Sequence, residues 1–280
     1  MRPAPAAPAL LYCLTMSDDR ILVLGATGST GRRVARRLRD SGVGVKAASR
    51  TGPVGFDWTR PDTWPGALDG VHAVYLMAPH ELPVDPGFVA LAVERGVERV
   101  VLLSSRGVRE MDDRRLLAAE QLVRGCGVPR WTILRADWFN QNFDEGVFRD
   151  AVLAGSLTLP LGELRQGFVD AEDIAAVAVA ALTGDGHHEQ VYELTGPQAL
   201  SFPEALEIIG RVTGHTVRYL GDPDDYRAAD PSRDVEQEIA AWQAWGATTL
   251  TDTVERVTGH KPRMFADYVF EAHERGAWTV

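Results

Sequence analysis

The chain predicts a doubly wound parallel α/β sheet carrying a smaller C-terminal α/β lobe, and three observations predict it. Residues 21–31, ILVLGATGSTG, set a short apolar run before three glycines and open an amphipathic segment. Apolar runs then alternate with amphipathic stretches as far as Arg135. Past Arg135 the rhythm breaks into shorter elements, which read as a lobe over the sheet's crevice.

Four apolar residues, Ile21 to Leu24, are too few for a core helix and suit a buried parallel strand. Val34, Ala35 and Leu38 recur at helical spacing after the glycines. Residues 43–49 form a second strand and 61–68 a brief helix. A third strand, 71–78, is closed by Pro79. A helix over 85–96, a strand over 97–103 ending at Ser104 and Ser105, a helix over 110–124 and a strand over 131–135 continue the series. Strands alternating with helices through short turns mean a parallel sheet covered on both faces. Beyond it, 138–150 reads as helical, 153–161 as a connection and 171–182 as a helix. Strands at 191–194 and 216–220 flank a helix at 202–213, and helices are expected over 234–245, 251–257 and 263–273. Residues 18–280 are thus one domain, with 137–280 contributing the smaller lobe.

Composition narrows the function. Of 280 residues 45% are hydrophobic and 24% charged, ordinary for a globular enzyme. A net charge of −10 argues against a nucleic-acid partner. Cys13 and Cys126 are too few for a disulfide framework and lack metal-ligand spacing, so no metal is expected and a reducing cytoplasm is the expected home. Residues 1–17 read as a disordered tail, or as an over-long start with Met16 as the initiator. No run approaches the length needed to cross a bilayer.

The glycine spacing has a chemical reading. Gly25 permits a sharp turn out of the strand, Gly28 leaves room for a pyrophosphate, and Gly31 lets the helix pack closely. The first-turn N–H groups and the positive end of the helix dipole then face the phosphates. At the end of the second strand stand Ser49, Arg50 and Thr51, with no carboxylate until Asp57. An acidic residue there would hold ribose hydroxyls and favour NAD. Arg50 instead offers a planar fork to the 2′-phosphate of NADP(H), with a hydroxyl from either neighbour. Asp57 suits the exocyclic amine of adenine or, equally, the cap of a turn.

GATGSTG, the ASR ending the second strand, LLSS, WTILRADWFNQNF and FVDAEDIA together resemble the NmrA-like atypical short-chain dehydrogenase/reductase family. The resemblance spans roughly residues 20–220, with a looser echo in TGHKPRMFADYV. It is strongest to the branch of ergot-alkaloid reductases such as festuclavine synthase. It implies a Rossmann fold and NADP(H). It carries phosphate contacts to Gly25, Thr27, Gly28, Ser29, Thr30 and Gly31, the 2′-phosphate contact to Arg50, and nicotinamide-side contacts to Ala78, Pro79 and Ser104.

One departure decides the chemistry. Ordinary short-chain dehydrogenases pair a serine with Tyr-x-x-x-Lys on the following helix, the lysine tuning the tyrosine to move a proton at a carbonyl oxygen. Ser104 or Ser105 supplies the serine, but the only four-residue pair that fits the helix is Leu116 with Glu120. No tyrosine occurs between Tyr75 and Tyr192, and no lysine between Lys46 and Lys261. Alcohol–ketone interconversion by that route is therefore not expected. An iminium, which already carries its positive charge, or a conjugated C=C such as an enone or quinone, needs no such donor. Glu120, Asp137, Asp144 and Asp170 are the carboxylates that would favour a cation if they face the crevice.

The expected substrate wall is 138–143, with Trp138, Phe139 and Asn142 facing a flat organic molecule and Phe139 and Phe143 sharing one helical face. Phe168 is placed near the nicotinamide. His80, at a strand end, is a candidate general acid; Ser104 and Asp137 complete the catalytic candidates. Trp242, Trp245 and Trp278 read as core or oligomer contacts. The expected function is an NADPH-dependent reductase of a small organic molecule, acting as a monomer or homodimer. The alternatives are an NADP(H)-binding redox sensor without turnover and a non-redox cyclase or isomerase.

Overall fold

A computed structural model describes residues 20–79, 82–232 and 234–279. The tail over 1–17 and His80 lie outside the described residues. Seven parallel strands form the main sheet: β1 (Arg20–Leu24), β2 (Gly44–Ser49), β3 (Val54–Gly55), β4 (Val71–Met77), β5 (Arg99–Ser105), β6 (Arg130–Ala136) and β8 (Gln190–Leu194). Their order is β3-β2-β1-β4-β5-β6-β8. The direction of winding reverses between β1 and β4, and the carboxyl ends of those two strands open the crevice in which such sheets bind ligands.

Both faces of the sheet are buried along β1, β4 and β5, whose central residues are apolar on both sides. Ile21 and Val23 point to one layer and Leu22 and Leu24 to the other, as a two-residue period requires. The first layer packs on α1 (Ser29–Asp40), α6 (Ala171–Thr183) and α10 (Thr253–Thr258). The second packs on α2 (Trp64–Leu68), α3 (Pro86–Glu94) and α4 (Arg114–Gly125). An aromatic third core, built on Phe143, Phe148, Phe202 and Phe265, holds the lobe. There α5 (Arg149–Ala154), α7 (Phe202–Thr213), α8 (Pro223–Ala229), α9 (Val235–Trp245) and α11 (Phe265–Glu274) surround a parallel pair, β7 (Ser156–Thr158) with β9 (Arg218–Leu220). Among the described residues no helix is long and apolar enough to cross a membrane.

Several elements differ from expectation. α4 starts at Arg114 rather than 110, because Asp113 accepts from the Leu116 N–H at 2.9 Å and caps it there. Residues 138–150 are not one helix. The Asn140 N–H donates to the Val169 carbonyl (2.9 Å) and the Val169 N–H to that of Trp138 (2.8 Å), so this backbone pairs with a distant segment. Only the 3-10 turn Asn140–Asn142 and the start of α5 remain helical. The connection at 153–161 contains β7. β8, expected within the lobe, pairs with β6 and completes the main sheet.

Candidate cofactor and substrate site

The turn from β1 into α1 is built so that backbone, not side chain, lines its outer face. Gly25 has φ +65°, and the Met77 side chain fills the space its Cβ would need. A Cβ on Gly31 would sit 2.7 Å from the Gly25 carbonyl carbon and overlap its oxygen. The close approach at Gly31 is therefore to the turn's own backbone rather than to the sheet. Gly28 caps α1 with no side-chain cap, and no acidic residue occupies the first turn. The N–H groups of Ser29, Thr30 and Gly31 have no intrahelical acceptor, which makes this helix end a fit for a pyrophosphate.

Two side chains of this loop are already engaged. Tyr75 donates to Thr30 Oγ1 at 3.0 Å, and the Thr30 side chain is turned into the core, 2% exposed. Arg33 donates to the Ser29 carbonyl (2.8 Å) and Oγ (3.2 Å), and it is itself held by Glu145 and Glu172. That network ties α1 to the segment after the substrate wall and to the first turn of α6. Thr27 is exposed.

Arg50 is exposed where β2 ends, and the Ser49 Oγ beside it is buried with no partner among the described residues. Asp57 accepts from the Thr59 N–H (2.9 Å) and Oγ1 (2.8 Å), the turn-capping role. Those two bonds, with Arg50 and Arg60 nearby, hold its carboxyl below the usual range.

A cavity of about 430 Å³ opens at the carboxyl ends of β4, β5 and β6. Met77 and Ala78, Ser104 and Ser105, and Ala136 and Asp137 form its floor. Leu116 of α4 and Trp138, Phe139 and Asn142 line it, as do Trp242 and Trp245 of α9. Trp245 stacks on Trp138 with ring centroids 5.9 Å apart and planes 15° off parallel. Gly107 lies under the same ring, where a Cβ would come within 2.7 Å. Trp242 and Trp245 are thus cavity walls rather than merely core or oligomer contacts. No local motif signals this, since α9 reaches the wall only through the fold. Trp278 donates to the Phe143 carbonyl (2.8 Å) and belongs to the core.

Phe168 does not face the cavity. It is 2% exposed and packs against Phe143, Phe202 and Phe265, so its expected place beside a nicotinamide is corrected to the lobe core. Phe143 is likewise buried, whereas Phe139 is half-buried at the cavity.

Among Glu120, Asp137, Asp144 and Asp170, Asp137 alone borders the cavity. It accepts from the Trp138 N–H (2.7 Å), Thr248 Oγ1 (2.6 Å) and Arg106 (3.2 Å), so its charge is compensated. Asp144 accepts from Tyr268 at 2.8 Å and burial raises its pKa. Asp170 caps α6 and binds Gln141. Glu120 is gripped by Arg135 through both oxygens, at 2.8 and 2.6 Å, and accepts from Ser104 Oγ at 2.8 Å. The two positions where a tyrosine and lysine would stand thus hold an apolar cavity wall and a buried, paired carboxylate.

Residues 25–185 match the NAD(P)H-binding family. An uncharacterized oxidoreductase, YesF, of Bacillus subtilis (strain 168) is 36% identical over 94% of this chain and 98% of its own. The (4-alkanoyl-5-oxo-2,5-dihydrofuran-3-yl)methyl phosphate reductase of Streptomyces griseus is also 36% identical, over 91% of this chain and 98% of its own. Festuclavine synthase I of Penicillium roqueforti is 31% identical over 92% and 99%. Among solved structures, the NADPH-dependent quinone oxidoreductase of Escherichia coli complexed with NADPH shares the fold at a TM-score of 0.68. It is 19% identical, with 90% of this chain and 99% of that one covered.

Proposed function

The chain belongs to the NAD(P)H-binding family and is an oxidoreductase, and on that premise we propose that it is an NADPH-dependent reductase of flat, activated small molecules: an iminium, an enone or a quinone-like acceptor. The observation that carries this reading is Leu116 at the cavity wall with Glu120 locked onto Arg135 behind it. An acceptor that relied on a proton from α4 would find none there.

The dinucleotide fits the residues present. The backbone N–H groups of Ser29, Thr30 and Gly31, with the Thr27 and Ser29 hydroxyls, would hold the pyrophosphate, while those of Ala26 and Gly28 already donate to the Ala48 and Gly25 carbonyls. Arg50, with Ser49, would hold the 2′-phosphate, and Asp57 the adenine edge. Ala78, Pro79 and Ser104 would border the nicotinamide. NADPH supplies a hydride when bound. Trp138 and Trp245 present a stacked pair of indoles, Phe139 a further ring and Asn142 a polar handle, a lining suited to a planar conjugated molecule. Their contribution is placement and exclusion of water. The dihydrofuran named in the Streptomyces relative is a conjugated acceptor of the same kind.

The test is NADPH oxidation, followed by absorbance, with four acceptors: a naphthoquinone, a cyclic enone, a dihydroisoquinolinium and a simple ketone. Turnover is expected with one or more of the first three and not with the ketone. Ketone reduction at a comparable rate would refute the proposal.

A further inference from the structure

We propose that Ser104 faces the cavity as a hydrogen-bond acceptor, set that way by Glu120, and so holds an N–H or O–H donor instead of polarising a carbonyl oxygen. The inference rests on the reading of this cavity as the nicotinamide and substrate site. Ser104 ends β5, borders the cavity and lies with its Oγ 2.8 Å from Glu120 Oε1. Glu120 is 3% exposed, with Arg135 on both oxygens and Arg124 at 3.5 Å. Burial opposes its charge, but the hydrogen bonds from Arg135 and Ser104 outweigh that, and its pKa falls below the ordinary value.

An ionised carboxylate only accepts, and a serine hydroxyl has a single hydrogen. That hydrogen is committed to Glu120, which leaves Ser104 two lone pairs for any other partner. A carbonyl oxygen brought to Ser104 would meet those lone pairs, and a donor would be bound by them. Glu120 is thus a positioning residue: it fixes the polarity of Ser104 without touching the ligand. In an ordinary short-chain dehydrogenase the serine turns its hydrogen to the substrate, and here the bond runs the other way. The donor has two sources, the carboxamide N–H2 of the bound nicotinamide or an N–H or O–H of the acceptor and its reduced form.

Calorimetric titration of the full chain and of its Ser104→Ala and Glu120→Gln variants separates them. The probes are NADPH and its 3-acetylpyridine analogue, in which a methyl group replaces the amide N–H2. If the carboxamide is the donor, Ser104→Ala weakens NADPH by about tenfold and leaves the analogue unchanged. Glu120→Gln provides an amide that can donate to Ser104 and free its hydrogen, so the preference for NADPH over the analogue falls. If the donor is on the acceptor, both dinucleotides bind as to wild type. Then 1,4-naphthohydroquinone added to the NADP⁺ complex is weakened about tenfold by Ser104→Ala, and 1,4-dimethoxynaphthalene is unaffected. Should Glu120→Gln leave Arg135 stranded and unfold the chain, the Ser104→Ala comparisons decide alone. The inference is overturned if wild type binds NADPH but Ser104→Ala changes neither discrimination, or if the probes without a donor lose as much as those with one. Failure of wild type to bind either dinucleotide would instead overturn the reading of the cavity, and the inference with it.

Discussion

Trp245 of α9 lies nearly parallel to Trp138, 5.9 Å from it, and together they wall the cavity at the end of β6. The two rings stand far apart in the chain, one just after β6 and the other at the end of α9, so the slot exists only when α9 is docked. Trp245→Ala should raise the acceptor's KM by about tenfold while changing NADPH affinity by less than about twofold. Steady-state kinetics with naphthoquinone varied at saturating NADPH, paired with dinucleotide titration, checks this. Equal losses for acceptor and dinucleotide would mean that Trp245 supports the fold rather than the slot.

Gly31 is packed against the Gly25 carbonyl with no room for a methyl group. Gly31→Ala should cost about 2 kcal/mol or more of stability, since neither backbone segment can yield without moving the turn. It should also abolish measurable dinucleotide binding. Thermal melting and calorimetry on the same preparation test both, and wild-type values in either would contradict the close approach.

Asp173, 4% exposed at the start of α6, has its pKa pushed up to about 6 by burial and then by the Asp170 charge, against the opposing Arg263 and His260. The folded chain therefore holds this proton to a higher pH than the unfolded one does. The neutral form is accommodated below the unfolded value near 3.8. Its stabilising advantage is lost as pH rises from about 4 through 6. Asp173→Asn should thus be more stable than wild type at pH 8, by about 2 kcal/mol, with the difference vanishing near pH 4. Denaturant melts at both pH values check the sign, and a constant difference would refute it.

The main sheet is legible in the sequence because each strand from β1 to β6, the short β3 apart, is an apolar run bounded by a turn signal. The phosphate loop is legible because glycine is required there by φ and by contact. The substrate wall is legible in residue type at Trp138, Phe139 and Asn142, but not in conformation. Phe139 and Phe143 have helical spacing, yet the Asn140 and Val169 backbone pairing overrides it and sends Phe143 into the core. Phe168 shares that fate, since an aromatic residue beside a strand end reads alike whether it meets a ligand or a core. The partnership of Glu120 with Arg135 crosses from α4 to β6. The only local hint is a carboxylate placed on the face of α4 that buries Leu116, Ala119 and Val123.

The central claim is that NADPH lies on the β1–α1 turn with its 2′-phosphate on Arg50. Calorimetric titration of wild type and Arg50→Ala with NADPH and with NADH tests it most directly. The expected result is a loss of about tenfold or more in NADPH affinity, as for a broken charge-assisted contact, with NADH almost unchanged. Equal losses for both dinucleotides, or no binding of either to wild type, would contradict it.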